Sequence, residues 1–211
     1  MSLKHLTIWA LVAVGTFVAQ AAAQKNELDG SIGRTFISDQ SIQGAPPSDP
    51  DLRFGNGLSF EGDYGRRVLD MGKGFFSLTL ELPFVVDPDE NLHAALPNRI
   101  PHEYASYFVT PSARLNVFAG EGVSPWVSFG GGYGYFDASP TLLFGGPNPG
   151  KTGTSTFVLQ AGVGLDVKIF RRFSLRGEGR DFWSGVPQLD VNSGKSRQHN
   201  IFAGLGIVWH F

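Results

Sequence analysis

Nine charged residues fall in one parity pattern along this chain: Glu61, Asp63, Glu81, Arg114, Asp166, Lys168, Arg176, Glu178 and Arg180. Members of the set on the same segment are spaced two apart, and Glu81 and Arg114 each stand between two apolar residues. Acids and bases are nearly balanced within the set, so the chemistry it offers is ionic interlocking. Buried charges persist only when paired, because removing one partner of a buried pair costs about 3–5 kcal/mol. Three other groupings invite chemical readings. Gly145-Gly-Pro-Asn-Pro-Gly150-Lys151-Thr152 matches the letters of a phosphate-binding loop. That loop needs a helix after it, so that amides converge on phosphate. Here Thr156-Phe157-Val-Leu159-Gln-Ala161 follows with a period of two, and Pro147 and Pro149 carry no amide hydrogen. An extracellular loop is expected, with no nucleotide bound. His102-Glu103 lacks the second histidine of a zinc-protease helix, and no metal-ligand set or cofactor motif is read. Ser196 and His199 are the only candidates for a nucleophile and its base. No catalytic residue is expected.

These residues are positioned by strands. Eight alternating segments are expected, at about 27–36, 55–65, 74–86, 105–118, 125–136, 156–170, 173–183 and from 201 to the end. In the third, Phe76, Leu78, Leu80, Leu82 and Phe84 oppose Ser77, Thr79 and Glu81. In the sixth, Phe157, Leu159, Ala161, Val163, Leu165 and Val167 oppose Gln160, Gly162, Gly164, Asp166 and Lys168. Ten of the 13 prolines fall in four long connections near 37–54, 87–104, 137–155 and 184–199. Proline is excluded from paired strands, so it marks loops independently of hydropathy. The remaining connections are short. Pro83 and Pro111 break the rule, and mark bulges or misplaced boundaries.

The chain has 211 residues, no cysteine, 17 Lys and Arg against 19 Asp and Glu, 28 glycines and 18 phenylalanines. A basic start at Lys4 and His5, an apolar stretch Leu6–Ala19 and the small residues Ala21-Ala22-Ala23 read as a signal peptide over 1–23. The mature chain, 24–211, is then one domain with 16 bases against 19 acids, a poor match for nucleic acid. No later segment is an apolar run long enough for a membrane helix. Glycines 130, 132, 134, 162, 164, 204 and 206 share the face of the charged residues, which suits a crowded interior better than a solvated exterior. The apolar rows, with aromatics such as Tyr64, Tyr107, Trp126, Tyr135, Trp183 and Trp209 at strand ends, suit lipid.

The chain resembles the small bacterial outer-membrane barrels of the outer-membrane-protein-A-like or opacity-protein superfamily. The resemblance rests on the signal ending in Ala21-Ala22-Ala23, the eight segments and the terminal Leu205-x-Ile207-x-Trp209-x-Phe211. It implies an all-β fold, an eight-stranded antiparallel up-and-down transmembrane β-barrel. It also implies that Leu205, Ile207, Trp209 and Phe211 are read by the barrel assembly machinery during insertion. With no residue after Phe211, a peptidoglycan-binding domain is not expected. A non-enzymatic structural, adhesive or surface-interaction role is expected in the outer membrane, with the lumen plugged by paired charges. Outer-membrane lipids and lipopolysaccharide are the expected surroundings, the latter bridged by divalent cations at acidic loops. The alternatives are a narrow porin-like channel for small solutes and, less favoured, a lipid A deacylase-type hydrolase.

Overall fold

Strict alternation of apolar and polar residues gives each segment one greasy and one polar face, and a sheet of such segments must close or cover its edges. The computed structural model describes residues 25–45, 51–94, 99–119 and 121–211. The signal-peptide reading and Pro46, Pro47, Pro50 and Pro97 lie outside the described residues. The described chain forms β1 (Asn26–Ile37), β2 (Gln40–Ser41), β3 (Asp51–Phe54), β4 (Leu58–Met71), β5 (Phe76–His93), β6 (Glu103–Val109), β7 (Ser112–Val117), β8 (Val123–Ala138), β9 (Gly153–Phe170), β10 (Phe173–Gly185) and β11 (Arg197–His210).

Neighbours pair antiparallel in the order β1, β4, β5, then β6 and β7 end to end, then β8, β9, β10 and β11. The ring closes where β11 pairs with β1 from Glu27–His210 to Ile37–Asn200. That makes an eight-position antiparallel barrel. Beyond the last paired residue, Phe211 and Asn26 exchange two backbone hydrogen bonds. The small β2–β3 hairpin lies above the ring and joins it through Arg53–His93 and Phe54–Leu92.

The two awkward prolines explain why one barrel position is built from two strands. Register is continuous across the gap, with Phe84 opposite Val109 and Glu81 opposite Ser112. No bulge is present there. Thr110 donates to the Pro83 carbonyl, and Gly131 donates to the Pro111 carbonyl. The return bond in each pair would need an amide hydrogen that proline lacks. The ladder is interrupted at 110–111 while the strand runs on. A real bulge lies elsewhere on β5, between Asp87 and Glu90.

Short connections follow β4, β7 and β9 at the end that holds both Asn26 and Phe211. The described parts of the long connections gather at the opposite end. Outward residues are apolar and exposed around the whole ring, among them Ile32, Leu82, Phe129, Val163 and Leu205, the last 64% exposed. The inward rows are buried.

Candidate functional site

The interior has two layers. Toward the short-turn end, inward positions of β1, β4, β5, β7, β9 and β10 contribute to an ionic network. Arg114, Arg176 and Arg180 are all at most 1% exposed. Arg176 grips Asp166 with two parallel bonds, from Nε to Oδ1 and from Nη2 to Oδ2, each 2.8 Å. It also reaches Glu27 at 3.1 Å. Arg180 contacts Glu81 at 2.8 Å, Glu61 at 2.9 Å and Glu178 at 3.0 Å. Arg114 pairs with Glu27, and with Glu81 at 3.3 Å. Asp63 sits between the three guanidiniums, 3.6–3.9 Å from each.

Trp126 is the hub of this layer. Its ring centroid lies 5.3, 5.3 and 5.1 Å from the guanidinium carbons of Arg114, Arg176 and Arg180. Its Nε1 donates to Asp166 at 3.1 Å. The aromatic face is the negative pole of the ring, so three cations share one π-system in a desolvated site. Gly164 makes room, since a Cβ there would overlap the indole. Gly204 likewise leaves space for the Phe202 ring.

The second layer is apolar. Val85, Phe108, Phe136, Val158, Phe182 and Phe202 point inward from the strands. Ile42, Leu52, Leu92, Ile100 and Leu189 close over them from the upper strand ends and loops. Phe108 stacks on Phe182 with centroids 4.9 Å apart and planes at 5°. The paired charges expected to plug the lumen fill its lower part, and a hydrophobic core fills the upper.

Of the nine charged residues singled out by parity, the structure brings Glu61, Asp63, Glu81, Arg114, Asp166, Arg176, Glu178 and Arg180 together. Lys168 is not among them. It is exposed near the end of β9, where the inward row has left the cylinder, and its long stem carries the ammonium to water. It rims a cavity of about 100 Å³ at the short-turn mouth, with Glu27, Arg67, Asp166 and His210. Trp126 is also corrected: it is inward and 2% exposed, because Val127 beside it faces out. Glu27 and Asp29 were missed, although both alternate with Leu28. Leu205, Ile207 and Trp209 face outward and exposed on β11, and Phe211 packs its ring 4.7 Å from that of Trp209.

The remaining groupings are placed as follows. The 145–152 segment is a turn with Gly145 and Gly146 at positive φ, and it leads into β9 with no helix. His102 Nδ1 lies 3.2 Å from Glu103 on the exposed surface. His199 pairs with Asp181 at 2.6 Å on the outer face and stacks beside Trp183. Among the described residues no hydrogen bond joins His199 to Ser196.

A separate acid pair sits above the apolar belt. The β5 bulge turns both Asp87 and Glu90 inward, each 1% exposed, while Pro88 and Asp89 face out. Burial, the hydrogen bond that the protonated Glu90 carboxyl donates to Asp87, and the negative charge of Asp87 push the Glu90 carboxyl up to about 9, against the opposing effect of the Gly57 amide 3.2 Å away. A carboxyl whose folded value exceeds its unfolded one binds more protons when folded, so its effect on stability worsens as pH rises from about 4.5 to about 9. Raising the pH from 6 to 10 is expected to lower the protection of the Gly57 amide, its exchange rate being taken relative to the intrinsic rate at each pH. Glu90→Gln should remove that loss of protection; an unchanged protection profile in the variant would show that another group is responsible.

No family model and no curated protein sequence matches the chain. Solved structures do. The crystal structure of Neisserial surface protein A aligns with a TM-score of 0.56 and 13% identity, covering 90% of this chain and 99% of that one. The outer membrane protein OprG of Pseudomonas aeruginosa aligns at 0.51 and 10%, covering 90% and 97%. The N-terminal β-barrel domain of OprF, from the same organism, aligns at 0.50 and 14%, covering 90% and 99%. The chain has the fold of the eight-stranded outer-membrane barrels.

Proposed function

We propose that this chain is an integral protein of a bacterial outer membrane. Its closed barrel holds four loop regions outside the cell in a structural or adhesive role, without catalysis. One observation carries the reading: the apolar surface is on the outside of the ring all the way round, while the interior is filled twice over. A water-soluble barrel inverts that arrangement. The ring is the rigid scaffold and the loops are the variable surface, an arrangement suited to contact with lipopolysaccharide or another surface. The terminal Leu205, Ile207, Trp209 and Phe211 would be the positions met by the assembly machinery.

The filled interior argues against the porin-like alternative. Phe108, Phe136, Phe182 and Phe202 cross the upper lumen, and the arginines cross the lower. Purified protein in a planar bilayer is expected to give no steady conductance, and its folded form should migrate faster before boiling than after. A persistent open step in the nanosiemens range would establish a pore instead. Unchanged lipid A mass in cells with and without the protein is the matching expectation for a non-enzyme.

A further inference from the structure

The interior charges do not balance. Seven carboxyl groups (Glu27, Asp29, Glu61, Asp63, Glu81, Asp166 and Glu178) share the ionic layer with three guanidiniums. Unpaired charge in such a place is expensive, so the layer must hold additional positive charge. The local geometry says where. Asp29, Glu61 and Glu178 each present a carboxylate oxygen within 4.8 Å of the other two. Arg180 Nε covers one side of this group, at 2.9 Å from Glu61 Oε1 and 3.0 Å from Glu178 Oε2. Asp29 Oδ1 and Glu61 Oε2 accept no hydrogen bond, although both side chains are fully buried.

Ser31 gives an independent sign of the deficit. Its Oγ lies 2.9 Å from Asp29 Oδ2 and 2.8 Å from Glu178 Oε1. A hydroxyl has one hydrogen, so it can serve only one of those acceptors. The other contact sets two oxygen lone pairs against each other unless a carboxyl proton or a cation bound by both oxygens relieves it.

We propose that Asp29, Glu61 and Glu178, with the Ser31 hydroxyl, bind one calcium ion inside the barrel. All donors are hard oxygens, as calcium and magnesium require and as zinc or copper do not favour. Calcium–oxygen bonds of about 2.3–2.6 Å let two ligands on opposite sides of one ion stand about 5 Å apart, which accommodates the spread here. Magnesium demands a near-ideal octahedron at about 2.0–2.1 Å and gives up its waters reluctantly, so a buried interior suits it less. The ion would neutralise part of the carboxylate excess without displacing any arginine. The apolar layer closes one end of the lumen, and Arg67, Lys168 and Arg171 rim the other. Cation exchange is therefore slow, and the site is filled as the barrel folds.

The test is refolding of the full mature chain from urea into detergent, with calcium, with magnesium, or with chelator alone. Bound metal is then counted by elemental analysis after dialysis, and folding is scored by migration before boiling. The expected result is one calcium per folded barrel, a higher unfolding temperature than the chelator-refolded protein, and a smaller response to magnesium. Asp29→Asn removes a ligand that does not touch Arg180, and it should lower calcium affinity on the order of 10-fold or more while leaving the barrel folded. Asp89→Asn, on the outer surface, should leave it unchanged. Wild-type barrels that fold with no stoichiometric calcium and no calcium-dependent shift would overturn the proposal and assign the missing charge to protons. Calcium bound equally well by folded Asp29→Asn would overturn it in favour of a surface site.

Discussion

Arg180→Met is expected to lower the stability of the folded barrel by about 3–5 kcal/mol, the cost of stranding buried partners of an ion pair. Arg180 is fully buried and touches Glu61, Glu81 and Glu178 at 2.8–3.0 Å, with Asp63 at 3.9 Å. Methionine fills much of the same volume, so the loss reports charge rather than a cavity. Removing Glu61 in the same chain should recover part of it, because the two residues interact directly and their effects will not add. Urea titration of barrels refolded into lipid vesicles, scored by migration before boiling, measures both. If Arg180→Met unfolds at the wild-type urea concentration, the ionic layer is not structural and the account of the interior fails.

Leu205→Arg is the second large effect, and it acts on the opposite face. Leu205 is 64% exposed, midway along β11, between Ile32 on β1 and Gly177 on β10. If acyl chains cover it, an arginine there costs about 2–4 kcal/mol in a bilayer. If water covers it, the same change is close to neutral. The two environments therefore predict different outcomes for one substitution. Ser59, inward on β4, offers no such contrast, since it is buried in either case.

Strand positions were legible wherever one face was apolar and the other polar. Leu80, Leu82 and Phe84 against Glu81 read as a barrel strand without any structural information. The upper half of the interior was not legible, for a physical reason. Phe108 and Phe202 face a core while Tyr107, Val109, Ile201 and Ala203 beside them are apolar too, so alternation disappears. The β5 bulge defeats parity in another way. Counting by twos from Asp87 puts Asp89 inside and Glu90 outside, and the extra residue reverses both. Glu27 and Asp29 obeyed parity but open the first strand, where few residues establish the pattern. The β2–β3 hairpin is too short and polar to announce itself between prolines.

The chain has no cysteine, so single cysteines along β9 from Phe157 to Val167 can carry a spin label one at a time. Collision rates with oxygen, which concentrates in lipid, and with a water-soluble nickel chelate then report the surroundings of each side chain in vesicles. The account predicts high oxygen access at Phe157, Leu159, Ala161, Val163, Leu165 and Val167, with low access to both reagents at Gln160, Gly162 and Asp166. Odd positions open to the nickel chelate and closed to oxygen would mean that water bathes the apolar rows, and the transmembrane reading would be wrong.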